Sequence, residues 1–179
     1  MTSLRHIAQL GNPVLRQVAE PIYSVQDGWV QDLIDDLLVT LHRSNGVGIA
    51  APQVSVSRRL VIVASHPNER YPDAPQMEPT PMINPQVLHR SGQTIKEWEG
   101  CLSVPGIRGL VPRSKSIEVA YTDRSGKRQK QQFSGFIARI FQHEFDHLEG
   151  KVFLDHVERS TDIITDQEYL KQFSMQLAA

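Results

Sequence analysis

The chain has 179 residues, of which 40% are hydrophobic, and its formal net charge is −1. This length fits one domain with a single apolar core, so we expect residues 1–179 to fold as one unit. The near-zero charge excludes the strongly basic field that draws proteins onto nucleic acid or anionic membranes. No apolar stretch approaches the roughly 20 residues that a membrane-spanning helix needs.

The N-terminus and the single cysteine favour a reducing cytoplasm. Residues 1–9 lack an apolar core followed by a small-residue cleavage site, so they do not resemble a signal peptide. Cys101 has no second cysteine with which to form an intrachain disulfide. Cys101 must therefore be a buried core residue, a catalytic nucleophile or a metal ligand.

The first predicted element is an amphipathic helix that begins after Asp27, whose side chain can cap it. Its apolar residues recur every three or four positions and are Trp29, Val30, Leu33, Ile34, Leu37, Leu38 and Leu41. The helix should end near 44–46, where Asn and Gly tolerate a positive φ. The β-branched run at 60–64 then predicts a buried strand.

Six prolines between 66 and 85 predict that most of this segment is an irregular loop. Downstream, apolar residues alternate with polar ones and lead into a turn at 123–126 and a polar strand at 127–133. The alternating residues are Ile117, Val119 and Tyr121. This pattern predicts a β-hairpin.

A helical pattern covers 136–149 and is stopped by Gly150. Together with the preceding elements it predicts an α+β fold, in which mixed or antiparallel strands pack around this central helix. The helix carries an HExxH motif at 143–147. Histidines four residues apart lie on one helical face and can chelate one divalent ion, with the intervening glutamate beside the water that the ion binds.

The surroundings of Glu144 strengthen the case for a catalytic site. On a helical wheel Glu144 and His147 fall inside an apolar arc formed by Phe136, Ile137, Ile140, Phe141 and Leu148. The opposite side carries Arg139, Gln142, Asp146 and Glu149. Burial of a carboxylate tends to raise its pKa, which is the condition that a general base working near neutral pH needs.

A catalytic zinc-type site takes three protein ligands and one open position, and the motif supplies two. The extended motif HExxHxxGxxH is excluded because Phe153 replaces its third histidine. Glu168, at the start of a helical tail, and Cys101, in a stretch framed by Gly and Pro, are both candidates. Either residue also has an ordinary structural interpretation, Glu168 as a surface acid and Cys101 as a buried core residue.

Different ways of completing the metal site predict different kinds of protein. Glu168 predicts an endopeptidase, and a closed Cys/His site predicts a structural metal module without enzymatic activity. The absence of a second cysteine counts against the structural module, because it leaves the usual four-ligand set incomplete.

Three separated motifs together resemble the peptide deformylase family. They are GVGIAAPQ at 46–53, EGCLS at 99–103 and QHEFDH at 142–147, in the order and approximate spacing of that family. The segment GNPVLR at 11–16 and the hairpin before the helix are also similar, so the resemblance covers about residues 5–158. It implies a hydrolase that removes the formyl group from the N-terminal methionine of newly made proteins and releases formate.

The resemblance also implies a role for each matching residue. Cys101, His143 and His147 become the metal ligands, and Glu144 becomes the general base and acid for a metal-bound hydroxide that attacks the formyl carbon. Gln53 and the backbone N–H of Leu102 become donors to the oxyanion. Gly46, Gly48 and Ile49 would bind the main chain of the substrate by strand addition. Glu99 and Arg108 would orient the loop and the metal ligands. Asp146 would pair with Arg113 or Arg139.

The expected cofactor is one divalent ion, Fe²⁺ in the cell, with Zn²⁺, Ni²⁺ or Co²⁺ as alternatives in the isolated protein. The expected partners are N-formyl-methionyl peptides of nascent chains and, transiently, the ribosome, with no DNA and no membrane. A basic run that would dock on ribosomal RNA is absent, since only Lys171 follows Arg159. The expected location is the cytoplasm, or the interior of an organelle in a eukaryote, although no transit peptide is seen.

Phe136, Ile140 and Phe141 are candidates for the wall of a methionine pocket, with the core as the alternative.

Overall fold

The computed structural model describes residues 3–67 and 73–176, which form two antiparallel sheets and three α-helices. The helices are α1 (Gly28–Arg43), α2 (Gly135–Leu148) and α3 (Asp166–Gln176). The strands are β1 (Gly48–Ala50), β2 (Leu60–Ser65), β3 (Met77–Arg90), β4 (Thr94–Cys101), β5 (Val104–Ser114), β6 (Ser116–Thr122), β7 (Arg128–Ser134) and β8 (Ile163–Thr165). Short 3-10 helices occur at Pro13–Arg16, Ala51–Val54, Phe153–His156 and Ser160–Asp162. The predicted α+β class is confirmed.

The larger sheet has the strand order β1-β2-β3-β6-β7, and the smaller one has the order β4-β5-β8. Strand β2 is buried along its whole length because a helix covers each face of the larger sheet. Leu60, Ile62 and Ala64 pack in the cluster of α1, whereas Val61 and Val63 pack in the cluster of α2. A strand covered on both faces needs apolar residues at every position, which explains the continuous run at 60–64.

Helix α1 confirms the predicted helix and ends at Arg43, two residues before Asn45, whose φ is +49°. The prediction that the Asp27 side chain caps this helix is wrong. Its carboxylate instead accepts hydrogen bonds from Ser24 Oγ (2.7 Å) and Trp29 Nε1 (3.3 Å). Trp29 therefore lies on the surface rather than on the buried face, with 46% of its area exposed.

The prediction of an irregular loop over 66–85 is wrong from Met77 onward, where the chain forms the long strand β3. Residues 68–72, which include one of the prolines, lie outside the described part of the chain.

Strand β3 accommodates its prolines because its two neighbours pair with different parts of it. Pro79 and Pro81 lie in the part that pairs with β2, and the pairing with β6 begins only at Ile83. Proline can stand at the open edge of a strand, where no partner needs its missing N–H. Pro85 falls where the register with β6 shifts, which is the other position that a sheet tolerates.

Strands β6 and β7 confirm the predicted hairpin, and the turn between them is organised by Asp123. Its Oδ1 accepts hydrogen bonds from the backbone N–H groups of Ser125 (2.9 Å) and Lys127 (3.0 Å). Gly126 has a φ of +89°, a conformation that favours glycine.

Helix α2 confirms the predicted helix and packs against strands of both sheets. As a result its polar side is also buried, including Arg139, Gln142 and Asp146. The helix stops before Gly150, whose φ is +69°. A Cβ there would lie 2.9 Å from the carbonyl oxygen of Arg16, so glycine lets the N-terminal segment pass close to the helix end.

None of the helices in the described ranges is both long and apolar enough to cross a membrane.

Candidate active site

The end of strand β4 meets the last two turns of helix α2 at a group of three potential metal ligands. Cys101 is the last residue of β4, and His143 and His147 lie on α2. Their ligand atoms all lie within 4.8 Å of one another, and Cys101 Sγ is 3.3 Å from His147 Nε2. The structure thus brings together the three ligands that the resemblance implies.

The alternative ligand Glu168 lies elsewhere, on the exposed surface of α3. Its carboxylate pairs with Lys171 Nζ at 2.6 Å, one turn along the same helix. The ordinary interpretation of Glu168 as a surface acid is therefore the correct one. The histidine that would complete the longer zinc motif is replaced by Phe153, whose buried ring stacks on His143 with ring centres 6.1 Å apart.

The donor set fits a divalent transition-metal ion. Thiolate and imidazole are favourable ligands for zinc and for the later first-row metals, and three protein ligands leave a position open. Burial alone would raise the pKa of the Cys101 thiol, but the neighbouring His147 and His143 outweigh it and hold this pKa well below its usual range. The thiolate, which is the form that binds metals, is thus favoured at this position.

His143 is oriented by a buried carboxylate. Its Nδ1–H donates to Glu99 Oε2 at 2.9 Å, which leaves Nε2 available to an ion. Glu99 also accepts two hydrogen bonds from Arg113, at 2.8 and 2.9 Å, and one from Arg139 at 2.8 Å. Burial would raise the pKa of Glu99, but Arg113 and His143 reverse this effect and lower it, so the carboxylate stays ionised.

We expect Glu99→Gln to weaken metal binding by about 10- to 100-fold, the usual loss when the partner of a metal-binding histidine is removed. The matched control is Glu97→Gln, because Glu97 is exposed and pairs with Arg139 at the rim of the same network. Competition with a chromophoric chelator measures both affinities. Equal affinity in the two variants would show that the bond from His143 to Glu99 does not support the ligand.

The expected pairing of Asp146 is with Arg113, whose guanidinium bridges it to Glu99. Arg139, the other candidate, pairs with Glu97 and Glu99 instead. Both guanidinium groups are buried, so their charges need the carboxylates that surround them.

Glu144 lies beside the metal-ligand group and is only 4% exposed. Its Oε2 has no hydrogen-bond partner among the described residues. Burial raises the pKa of Glu144 to about 7, against the opposing influence of His143 and His147. The direction agrees with the prediction made from the helical wheel, and the carboxyl can exchange a proton near neutral pH.

Gly48 has a packing role that the sequence analysis missed. A Cβ built at Gly48 would lie 2.5 Å from Glu144 Oε1 and 2.8 Å from its Cδ. The absence of a side chain at 48 therefore makes room for the carboxylate of Glu144. Gly46 has a different role, because its N–H donates to the Leu41 carbonyl in the turn that ends α1.

Gln53 is held with its amide N–H₂ group facing the metal-ligand group. Its Oε1 accepts the N–H of Ala50 at 2.8 Å, which fixes the orientation of the amide. Its Nε2 is 3.4 Å from Cys101 Sγ and 3.3 Å from Ser103 Oγ.

The N-terminal segment braces this arrangement. The N–H of Ala8 donates to the carbonyl of Gln53 at 2.7 Å, and the N–H of Leu10 donates to that of Ser103 at 2.8 Å.

These groups face a cavity of about 220 Å³. Among the residues expected to bind substrate, Gly46, Gly48 and Leu102 line it, whereas the Ile49 side chain is buried in the core beneath α1. Phe136 and Ile140 also line the cavity, but Phe141 packs in the core against Phe145. Two of the three candidates for a pocket wall are thus at the cavity, and the third belongs to the core.

Ser103 is one of the residues at the site that the sequence analysis did not single out. A usable signal existed, because Ser103 belongs to the EGCLS motif and lies two residues after Cys101, in the turn that follows β4. The bracing contacts of Ala8 and Leu10 have no comparable signal, since they use only backbone atoms.

The geometry agrees with comparisons to known proteins. The model of the family described as Polypeptide deformylase matches residues 4–162. Peptide deformylase 2 of Nostoc sp. is 60% identical over 163 residues, which cover 91% of this chain and 91% of that protein. The crystal structure of class I type b peptide deformylase from Acinetobacter baumannii with Met-Ala-Ser bound is 43% identical, with a TM-score of 0.86, and the match covers 88% of this chain and 100% of that chain.

A peptide deformylase from Thermotoga maritima is 34% identical, with a TM-score of 0.78 and coverage of 88% of this chain and 99% of that one. The sequence and the fold of this chain therefore match those of the relatives over nearly the whole length of each relative. The chain belongs to the polypeptide deformylase family, whose members are hydrolases that act on N-formyl peptides.

Proposed function

We propose that this protein removes the N-formyl group from the N-terminal methionine of newly synthesised proteins and releases formate. The observation that carries the proposal is the meeting of three metal-ligating side chains with a buried carboxyl, Glu144, at one cavity. The reaction adds water across the formyl amide, so that the C–N bond breaks and the peptide leaves with a free amine.

Cys101, His143 and His147 would hold the cofactor, which we propose is Fe²⁺ in the cell. Zn²⁺, Ni²⁺ or Co²⁺ would suit the same thiolate and imidazole donors in the isolated protein. When bound, such an ion lowers the pKa of water and polarises a carbonyl oxygen.

Glu144 would move the protons of the reaction. A carboxyl with a pKa of about 7 can accept a proton from the attacking water and later deliver it to the leaving amine. Its burial supports this role, because burial raises the pKa of the carboxyl into the neutral range.

Gln53 Nε2 and the backbone N–H of Leu102 would donate to the oxygen that becomes negative as the formyl carbon turns tetrahedral. The Ala50 N–H supports the role of Gln53, because it keeps the amide from rotating its oxygen toward that charge. Leu102 follows Cys101 directly in the turn between β4 and β5, so its N–H lies near the proposed ligand.

The substrate main chain would bind along β1, which is one of the two edge strands of the larger sheet. An edge strand has unpaired N–H and C=O groups that an extended peptide can use, and Gly48 and Ile49 lie on this strand. Phe136 and Ile140 would form an apolar wall for the methionine side chain. We further propose that residues 1–179 act as one catalytic domain in the cytoplasm and meet nascent chains during a transient visit to the ribosome.

The test is formate release from formyl-Met-Ala by protein purified without oxygen and supplied with Fe²⁺. We expect turnover by the wild type and at least about 100-fold less by Glu144→Gln, since general acid–base catalysis contributes that much or more. Metal analysis of the same samples should find equal occupancy in the two proteins. No turnover by the wild type with Fe²⁺, Zn²⁺, Ni²⁺ or Co²⁺ would overturn the proposed function.

A further inference from the structure

The residues that follow the match to the family model contribute to the wall of the cavity. That match ends at residue 162, and β8 and α3 follow it. Strand β8 pairs with β5, so that Ile164 lies opposite Arg108 and Thr165 opposite Ile107. Helix α3 then begins at Asp166, which lines the cavity together with Trp98 and Arg108.

Two side chains of α3 hold Arg108. Asp166 Oδ1 accepts a hydrogen bond from Arg108 Nε at 2.7 Å, and the guanidinium carbon lies 4.1 Å from the ring centre of Tyr169. The Tyr169 ring in turn meets the edge of Trp98, with ring centres 6.0 Å apart. A guanidinium held by a carboxylate and an aromatic ring has little freedom to turn.

Arg108 retains an unused donor. The residue is only 3% exposed, and its Nη1 is buried without a hydrogen-bond partner among the described residues. Such a donor is closed off from a ligand in the cavity, so the position of Arg108 depends on its contacts with Asp166 and Tyr169. Arg108 is thus held at the wall of the cavity, where a bound peptide can contact it.

The position of Arg108 indicates which part of the peptide that would be. Arg108 lies opposite Gly100 on β4, next to Cys101, and Trp98 lies three residues before Cys101 on the same strand. Three residues of an extended strand span about 10 Å. The cavity lies between β1 and β4, so a peptide bound along β1 with its formyl group at Cys101 would place its second and third residues near Arg108 and Trp98.

We propose that Asp166 and Tyr169 are specificity-determining residues for the part of the formyl peptide beyond methionine. They act as positioning residues, because they fix Arg108 against the second and third residues of the substrate. The proposal rests on the proposed deformylase function and concerns its preference for longer chains.

The experiment compares formyl-Met-Ala with formyl-Met-Ala-Ser as substrates of the full-length, metal-loaded protein. The variants are Asp166→Asn and Tyr169→Leu, and the matched control is Glu168→Gln, which lies between them in sequence and pairs with Lys171. We expect the KM of the tripeptide to rise about tenfold more than that of the dipeptide in both variants, the effect of losing roughly one charge-assisted hydrogen bond. The control should keep the wild-type ratio of the two KM values. In the two variants, inhibition by the product Met-Ala-Ser should weaken as the KM of the tripeptide rises.

Equal losses with both substrates would overturn the inference, because they would indicate general damage to the site. An unchanged ratio of the two KM values would also overturn the inference. Helix α3 would then be a surface helix without a role in substrate selection. The wild-type samples separate this inference from the proposed function. Absence of turnover by the wild type contradicts the function, whereas an active wild type with unselective variants contradicts only the role of α3.

Discussion

Cys101→Ser is expected to reduce deformylation of formyl-Met-Ala by more than about 100-fold and to leave little bound metal. Loss of a residue that only supports a ligand typically costs 10- to 100-fold, and loss of a ligand itself should cost more. Serine keeps the size of the side chain but not the ionised sulfur, and His147 and His143 lower the pKa of the Cys101 thiol, which favours the anion at this position. Formate release and metal content, measured on the same preparation, test the prediction.

The matched control for this experiment is Glu168→Gln, which removes the carboxylate that an endopeptidase with the same histidines would need. We expect this control to keep full activity, because Glu168 lies on the exposed surface of α3 and pairs with Lys171. A Cys101→Ser protein with wild-type activity and metal would contradict the assigned ligand set.

Gly48→Ala is expected to lower kcat by about 100-fold while the fold and the bound metal persist. The new methyl group would lie 2.5 Å from Glu144 Oε1, so the carboxylate has to move by about 1 Å, a displacement that can cost about 100-fold in rate. The obstructing atoms belong to the end of a flexible side chain, so we expect little change in the melting temperature. Steady-state kinetics with formyl-Met-Ala, together with thermal unfolding, test this prediction.

The matched control is Gly92→Ala, since a Cβ at Gly92 has no neighbouring atom within 4 Å. A second test places Gly48→Ala in a Glu144→Asp background, where the carboxylate is one methylene shorter. The added methyl group should then lose most of its effect, because the two changes act on the same contact. A rise in KM with an unchanged kcat would mean instead that the methyl group obstructs the substrate and not Glu144.

Local sequence signals predicted helices α1 and α2, strand β2 and the hairpin of β6 and β7. The three- and four-residue spacing in α1, the β-branched run of β2 and the alternation in β6 each depend on contacts within one element. The prediction of an irregular loop at 66–85 failed because the place of a proline in a strand depends on the strands that pair with it. Pro79 and Pro81 are compatible with β3 only because β6 begins to pair with it at Ile83. The prediction of a cap at Asp27 failed for a local reason, since Ser24 and Trp29, three and two residues away, donate to its carboxylate.

The sequence by itself determined the two histidines and the glutamate of the site, because helical periodicity places residues at i and i+4 on one face whatever surrounds them. The apolar arc around Glu144 likewise predicted its burial and the direction of its pKa. From the residues alone, however, the third ligand remained open between Cys101 and Glu168, and only the family resemblance favoured the cysteine.

The tertiary structure decided what depends on contacts between distant parts of the chain. It brings the end of β4 to helix α2, so that Cys101 joins the histidines and Glu99 orients His143. It also brings Glu144 against Gly48 on β1 and closes one wall of the cavity with α3. These contacts join residues more than 40 positions apart in the sequence, and no local periodicity encodes such distances.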